Sequence, residues 1–328
     1  MNKTIQIRTG LEVSYSDIYT PEAFAAVQAL AELDRDVKEV MRSRIDRRAQ
    51  RMLDNERITF LDPGSTIART SIKVQDARDG NFEGSEVPQD LQCQWIQGTG
   101  PAAKPTGSLE RSIRNAAYAL LSGADGWMFD GEDALGQTHA MSLDNQRNLK
   151  LAIARDQVFM KAAEGVAGEM NAWADGFFGH PIVNDWNEQL DFTTLIFRAR
   201  GHHLDDRHIR NLDGSGFSAS IVDTCLFVVN NHKPLLEAGR SIVLYLPKIQ
   251  TAEEAAVWNR ILSSLEEYLG LEVGTIKVYV LIEQVEAAFQ LMEIRAALGK
   301  HFVGFNTGRW DYINSVSDAV TWDPEFIN

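Results

Sequence analysis

The chain has 328 residues, of which 44% are hydrophobic and 24% charged, so it can bury a substantial core and is not disordered as a whole. Its formal net charge of −14 argues against a nucleic acid as the main partner, because phosphate binding needs clustered Lys and Arg. The sequence has no apolar run near the ~20 residues of a membrane span, no signal-peptide core, and only two cysteines, which lie far apart. We therefore expect a cytoplasmic protein with no membrane partner.

Residues 1–90 are predicted to form one unit, a helical arm followed by a linker. Thr20 and Pro21 are typical of a helix start, and the apolar residues of the segment 21–51 recur at helical spacing. Turn signals then interrupt the periodicity up to about residue 90. The arm is expected to lie on a second unit, residues 91–328.

From residue 91 onward, apolar runs typical of strands alternate with segments at helical spacing. Strands that alternate with helices predict a parallel sheet, and nearly continuous apolar runs predict a sheet covered on both faces. A longer stretch that contains Trp173 and Phe177 interrupts the alternation and is predicted to be a less regular insert. The six predicted strands are residues 92–97, 126–130, 192–201, 241–248, 275–283 and 302–311.

Each predicted strand from the second onward ends in a polar, chemically useful group. In a parallel (β/α) barrel, catalytic groups come from several strand ends onto one face, so these endings predict a barrel active site. Two of them, Glu283 and Asp311, would lie on neighbouring strand ends, where two hard oxygen ligands and open positions suit Mg²⁺. The alternative is two solvated carboxylates. The strand-end groups are Asp130 with Glu132 and Asp133, then Arg200, Lys248, Glu283 and Asp311.

The other strand-end groups have their own functional and structural interpretations. The guanidinium of Arg200 offers a planar fork for a carboxylate or a developing oxyanion. Lys248 could equally be an ordinary loop lysine, and Asp133 could cap the next helix. His202 and His203 lack a metal-ligand pattern and are interpreted as supporting or surface residues.

Several motifs resemble the shorter, A-type group of malate synthases, and together they cover nearly the whole chain. The most specific is Gly308-Arg-Trp-Asp-Tyr312. Val280-Leu-Ile-Glu283 and Leu246-Pro-Lys-Ile249 also match the family. Arg198-Ala-Arg-Gly-His-His-Leu204 resembles the family's Pro-Arg-Gly-Trp-His-Leu stretch, and Met128-Phe-Asp-Gly-Glu-Asp133 resembles its Asp-Phe-Glu-Asp stretch.

This resemblance implies an Mg²⁺-dependent enzyme that condenses acetyl-CoA with glyoxylate and water to give malate and CoA. It implies a (β/α)8 TIM barrel, with about six of the eight units in residues 91–328 as a catalytic domain. The roles it implies for single residues are as follows: Glu283 and Asp311 as metal ligands, Arg200 on the enolate and glyoxylate oxygens, Gly308, Arg309 and Trp310 on the glyoxylate carboxylate, and Asp130, Glu132, Asp133 and Lys248 in support.

Departures from the family pattern lead to further expectations. Family members continue past the Trp-Asp-Tyr block, through two more strands and a C-terminal domain that carries the catalytic base. We therefore expect residues 91–328 to be an incomplete barrel that needs a further segment or a partner chain. Ala199, His202 and Gly131 stand where the family has Pro, Trp and Phe. Gly131 and His202 either open the pocket to a bulkier 2-oxo acid or acyl group, or are neutral replacements.

Two other functions stay open on the sequence. An Mg²⁺-dependent aldolase or CoA-ester lyase of the same superfamily would share the acidic pair and the arginine. A fragment or subunit that is inactive without a C-terminal partner is the other alternative. The block Gly308 to Tyr312 favours the malate synthase interpretation.

Overall fold

The structure, a computed structural model, describes residues 4–99, 108–133 and 139–326. Its main sheet has six parallel strands in the order β2-β3-β4-β7-β8-β9, and a small sheet has the order β1-β5-β6. The strands are β1 (Ile5–Ile7), β2 (Trp95–Thr99), β3 (Gly126–Asp130), β4 (Thr194–Arg198), β5 (Asp205–Asn211), β6 (Gly216–Ser218), β7 (Ile242–Leu246), β8 (Ile276–Ile282) and β9 (Phe302–Thr307).

The main sheet winds in one direction. Each of its strands pairs in parallel with the next one along the chain, without the reversal of strand order that defines a doubly wound sheet. This is the winding of a (β/α) barrel, and the sheet forms a curled, six-stranded part of one. The predicted fold class and all six predicted strands are confirmed, although most of the strands are shorter than predicted.

Helices cover the outer face of this sheet, and the described residues of the N-terminal segment pack on them. The helices are α1 (Leu11–Ser14), α2 (Pro21–Ala29), α3 (Leu33–Asp54), α4 (Val74–Asp79), α5 (Leu109–Leu120), α6 (Met141–Ile153), α7 (Gln157–Phe178), α8 (Trp186–Phe192), α9 (Ala219–Glu237), α10 (Ala252–Leu269), α11 (Val285–Ala288), α12 (Leu291–Leu298) and α13 (Arg309–Ala319).

The strands are buried on both faces, as their apolar composition predicts. Phe129 and Val280 point into a large core shared with the helices, whereas Met128 and Tyr279 belong to a second cluster on the inner face of the sheet. Helix α2 packs on α9 and α3 packs on α10, so the arm lies on the barrel helices. The domain boundary near residue 90 stays a prediction.

The prediction of an irregular insert around Trp173 and Phe177 is wrong, because most of this stretch is helical. Helix α7 runs for 22 residues and ends at Gly179, whose φ of 76° is left-handed. Its apolar periodicity is obscured because Trp173, Phe177 and Phe178 lie on its exposed side and contact one another. Among the described residues, no helix is both long and apolar enough to cross a membrane. The cytoplasmic location stays a prediction.

Candidate active site

Polar side chains from five adjacent strands meet at the carboxyl-terminal edge of the main sheet. Asp130 is the last residue of β3 and is directly paired in register with Arg198, the last residue of β4. Lys248 follows β7 by two residues, and Glu283 follows β8 directly. Asp311 lies in the first turn of α13, just after β9. The structure thus brings the predicted carboxylates together on one edge, as the strand-end argument requires.

Arg198 is the buried guanidinium of this cluster. Its Nη1 lies 3.2 Å from Asp130 Oδ2, and its Nη2 lies 2.7 Å from Asp133 Oδ2 and also binds Glu132. The backbone N–H groups of Glu132 and Asp133 donate to Asp130 Oδ1, each at 3.1 Å, which fixes the turn after β3. Arg198 Nε is buried without a hydrogen-bond partner among the described residues. One donor of this group is therefore not used by the described residues.

Lys248 supplies a second cation to the same carboxylates. Its Nζ lies 2.5 Å from Asp311 Oδ2, 3.0 Å from Asp133 Oδ2 and 3.4 Å from Glu283 Oε2. Its backbone is fixed, since the N–H donates to Glu283 Oε1 at 2.7 Å and the φ of 57° is left-handed. The loop-lysine alternative therefore does not describe this side chain, which is directed into the cluster.

Three carboxylates are placed to share a cation. Asp133, Glu283 and Asp311 each offer an oxygen, and these oxygens lie within 4.8 Å of one another. Glu283 is buried, whereas the side chains of Asp133 and Asp311 are 50% and 39% exposed. Hard oxygen ligands on one accessible side suit Mg²⁺ with water or substrate in the remaining positions. These residues therefore fit the predicted metal and add Asp133 to the two expected ligands.

The surroundings separate the pKa values of the two expected ligands. Burial, followed by the hydrogen bond to Asp311, raises the pKa of Glu283 to about 8, although Lys248 and Arg198 act in the opposite direction. The hydrogen bond from Glu283 and the ammonium of Lys248 lower the pKa of Asp311 below its ordinary value, against the effect of burial. The raised pKa of Glu283 favours its protonated form, and a metal that binds there competes with that proton.

The Gly308 to Trp310 segment lies at the edge of the cluster. A Cβ on Gly308 would lie 2.9 Å from Glu283 Cβ, so only glycine allows the start of α13 to approach Glu283 this closely. The N–H of Gly308 donates a hydrogen bond to Ile282 O at 2.9 Å. Arg309 and Trp310 are exposed, and the Arg309 guanidinium lies over the Trp310 ring, 5.1 Å from its centroid. The side chains of these two residues contact each other, and Asp311 of the cluster is the next residue in the chain.

The sequence of this chain is similar to those of malate synthases. The family described as "Malate synthase, TIM barrel domain" matches residues 194–327. The malate synthases of Dictyostelium discoideum and Myxococcus xanthus are 31% and 32% identical over 318 and 315 residues, 96% and 95% of this chain and in each case 51% of the relative. A bifunctional glyoxylate cycle protein of Caenorhabditis elegans is 35% identical over 72% of this chain and 22% of its own length. The chain belongs to the malate synthase family.

The chain spans about half the length of the malate synthases that it matches. The match to the barrel domain of the family includes the strand ends that supply Arg198, Lys248, Glu283 and Asp311. The strand end with Asp130 and Asp133 lies outside that match but inside the alignments that cover nearly the whole chain. The resemblance read from the motifs is therefore confirmed at the level of the family.

Arg200, which the malate synthase motif led us to expect at the site, is not one of the residues that meet there. Its guanidinium is buried and binds Asp223 through Nε at 2.9 Å and Nη2 at 2.6 Å, and Asp206 through Nη2 at 2.6 Å. The reason is that β4 ends at Arg198, so the chain turns before Arg200 and directs it toward α9 and β5. The guanidinium at the site is that of Arg198, which the sequence argument missed.

Two of the three departures from the malate synthase pattern, Gly131 and His202, do not add space to the site. A Cβ at Gly131 would lie 2.7 Å from Arg198 O and 2.9 Å from Phe197 Cε2, so the space beside this glycine is filled by backbone and a ring. His202 is 6% exposed and stacks on Trp258 with ring centroids 4.4 Å apart. His203, by contrast, contacts the cluster through Nε2, 3.3 Å from Glu132 Oε1.

Buried His202 is expected to make stability depend on pH. Burial, with Arg44 and His203 adding to it, lowers its pKa from 6.5 to about 3. Between pH 3 and 6.5 the unfolded chain binds a proton that the folded chain does not, so acid favours unfolding. The free energy of unfolding should fall by up to ~1.4 kcal/mol per pH unit below pH 6.5. Urea unfolding should show a flatter profile for His202→Phe, whereas the exposed control His180→Phe should keep the slope; an unchanged slope in His202→Phe would contradict this.

Proposed function

We propose that the protein condenses acetyl-CoA with glyoxylate and water to give malate and CoA, in the manner of a malate synthase. The observation that carries the proposal is the meeting of the carboxylates Asp133, Glu283 and Asp311 with the buried guanidinium of Arg198. Membership of the malate synthase family supports the same reaction, and no contact of the described residues favours a lyase over it.

In this proposal Glu283, Asp311 and Asp133 hold Mg²⁺. Mg²⁺, when bound, acts as a Lewis acid toward the aldehyde oxygen of glyoxylate. Burial of Glu283 on one side and partial exposure of Asp133 and Asp311 on the other leave an accessible side for glyoxylate. The cluster is supported by Asp130 and Glu132, which hold the Arg198 guanidinium against it.

Arg198 takes the role first expected of Arg200. Condensation places negative charge on the thioester oxygen of acetyl-CoA as a methyl proton passes to a base, which the resemblance places in the C-terminal domain of the family. A fixed donor directed at that oxygen stabilises the charge without reorganisation during the reaction. We assign this role to Arg198, because the four contacts of Nη1 and Nη2 immobilise the guanidinium and its Nε is unpaired among the described residues.

The start of α13 is proposed to bind the carboxylate of glyoxylate. The N–H groups in the first turn of an α-helix have no acceptor within the helix, and anions bind there. Arg309 and Trp310 supply two such N–H groups, and Asp311 is the next residue. Gly308 permits the close approach of this turn to Glu283, so the carboxylate and the aldehyde oxygen of one glyoxylate could be held side by side.

The activity is tested in a protein of the family's full length. In this chimera, the present chain replaces the aligned 51% of the Myxococcus xanthus malate synthase, and the rest of that protein is kept. We expect release of free CoA thiol that requires acetyl-CoA, glyoxylate and Mg²⁺ together, and malate as the product. A folded chimera that binds Mg²⁺ but releases no thiol in response to glyoxylate would contradict the proposed function.

A further inference from the structure

Lys248 lies where the three candidate metal ligands converge. Its Nζ contacts the oxygens of Asp311, Asp133 and Glu283 at 2.5, 3.0 and 3.4 Å, and Glu132 Oε1 is 3.7 Å away. Three of these four acids are the ones whose oxygens lie close enough together to share a cation. The ammonium therefore takes up the space that these three carboxylates enclose.

The charge of the cluster explains why a cation is needed there. Five carboxylates lie together, and two cations, Arg198 and Lys248, face them. Like charges brought together in a partly buried site repel one another strongly. Arg198 holds Asp133 and faces Glu283, and the ammonium adds the contact to Asp311. Removing the ammonium would therefore increase the repulsion between these three carboxylates. The acids are Asp130, Glu132, Asp133, Glu283 and Asp311.

The two cations differ in their freedom to move. Arg198 is 3% exposed at its side chain and binds carboxylates through both Nη atoms, so it is fixed. The Lys248 side chain is 18% exposed, and its ammonium sits on a flexible four-carbon stem. The backbone of Lys248 is anchored by the hydrogen bonds to Glu283 and from Arg44. The side chain can therefore swing away while the backbone stays in place.

We infer that Lys248 is an internal counter-ion that assembles the metal ligands and leaves them when the metal enters. The ammonium and a divalent cation compete for the same three carboxylates, so metal binding requires the lysine side chain to rotate outward. This inference rests on the proposed metal site and adds a built-in competitor to it. The competition sets the metal affinity, because a site that is open for only a fraction of the time binds correspondingly more weakly.

Two substitutions at Lys248 are expected to change Mg²⁺ affinity in opposite directions. Lys248→Met keeps the length of the side chain and removes the charge, so Mg²⁺ should bind about tenfold or more tightly if the ammonium occupies the site for roughly nine-tenths of the time. Lys248→Arg presents a fork that holds two carboxylates at once, so Mg²⁺ should bind about tenfold more weakly. Isothermal titration calorimetry with MgCl₂ on the 328-residue chain measures both.

Thermal unfolding gives a second readout that does not depend on activity. Without metal, Lys248→Met should unfold at a lower temperature than the wild type, because the carboxylates repel one another. Saturating Mg²⁺ should raise its unfolding temperature by more than it raises that of the wild type. Lys277→Met is the matched control. Lys277 lies at the start of β8, about 20 Å from Glu283 along the strand, and binds Ser85 and Lys300 O.

The outcomes separate this inference from the metal site itself. If neither the wild type nor Lys248→Met binds Mg²⁺, the metal site and the inference both fail. If the wild type binds Mg²⁺ and Lys248→Met binds it equally or more weakly, the metal site stands and the counter-ion role of Lys248 is overturned. Tighter binding by Lys248→Met, weaker binding by Lys248→Arg and unchanged binding by Lys277→Met would together support it.

Discussion

Replacing Glu283 by Gln, or Asp311 by Asn, is expected to weaken Mg²⁺ binding at least about 100-fold. Each change keeps the size of the side chain and removes a negative oxygen ligand, and even changes to groups that only support a ligand cost 10–100-fold in metal affinity. The Lys248 ammonium, which lies 2.5 Å from Asp311 and 3.4 Å from Glu283, also loses a negative partner, but this opposing effect is expected to be smaller than the loss of a metal ligand. Calorimetric titration with MgCl₂ measures the effect.

Asp318→Asn is the control for this experiment. Asp318 lies on the same helix as Asp311, and it is bonded to Arg48 on the surface, outside the cluster. Its replacement should leave Mg²⁺ affinity unchanged. Wild-type affinity in both Glu283→Gln and Asp311→Asn would remove these two residues from the site.

The substitutions Arg198→Lys and Arg200→Lys are expected to have different effects on kcat, although the two positions are only two residues apart. Arg198→Lys keeps the charge and loses the Nε donor and the fork, so kcat of the full-length chimera should fall at least about 100-fold, as for loss of an oxyanion donor. Arg200→Lys should leave kcat within a few-fold of the parent, because its guanidinium binds Asp206 and Asp223 and does not reach the cluster.

Arg200→Lys is expected to act on stability instead of turnover. Arg200→Lys loses charge-assisted hydrogen bonds to two buried carboxylates, a change of about 1.5–3 kcal/mol for each bond lost. Urea unfolding should therefore shift strongly to lower concentration for Arg200→Lys. The opposite result, with low kcat and normal stability in Arg200→Lys, would return the catalytic role to Arg200.

The strands were predictable because the sequence signal and the packing agree. Residues 276–282 are apolar or β-branched at nearly every position, and each is buried, as a strand covered on both faces requires. The small sheet carried no such signal. Strand β5 reads Asp-Asp-Arg-His-Ile-Arg-Asn, and two of its buried residues, Asp206 and His208, are polar, so the strand shows no alternation of apolar and polar residues.

The carboxylates of the site were predictable for the same reason, since each follows a recognisable strand. The choice between Arg198 and Arg200 was not, because it depends on where β4 ends and on Asp223, a partner 23 residues away. The position of the Lys248 ammonium depends in the same way on acids that come from three other strand ends. The strand-end pattern identified the edge of the sheet, and long-range contacts decided which side chains face one another.

The most direct test of the account is the location of the metal itself. Crystals of this chain grown with Mn²⁺, which replaces Mg²⁺ at oxygen sites and scatters anomalously, would be measured near the manganese edge. We expect one strong anomalous peak in contact with the carboxylate oxygens of Glu283, Asp311 and Asp133, with the Lys248 ammonium moved away from them. A peak at another place, or no peak between these carboxylates at saturating Mn²⁺, would contradict the proposed active site.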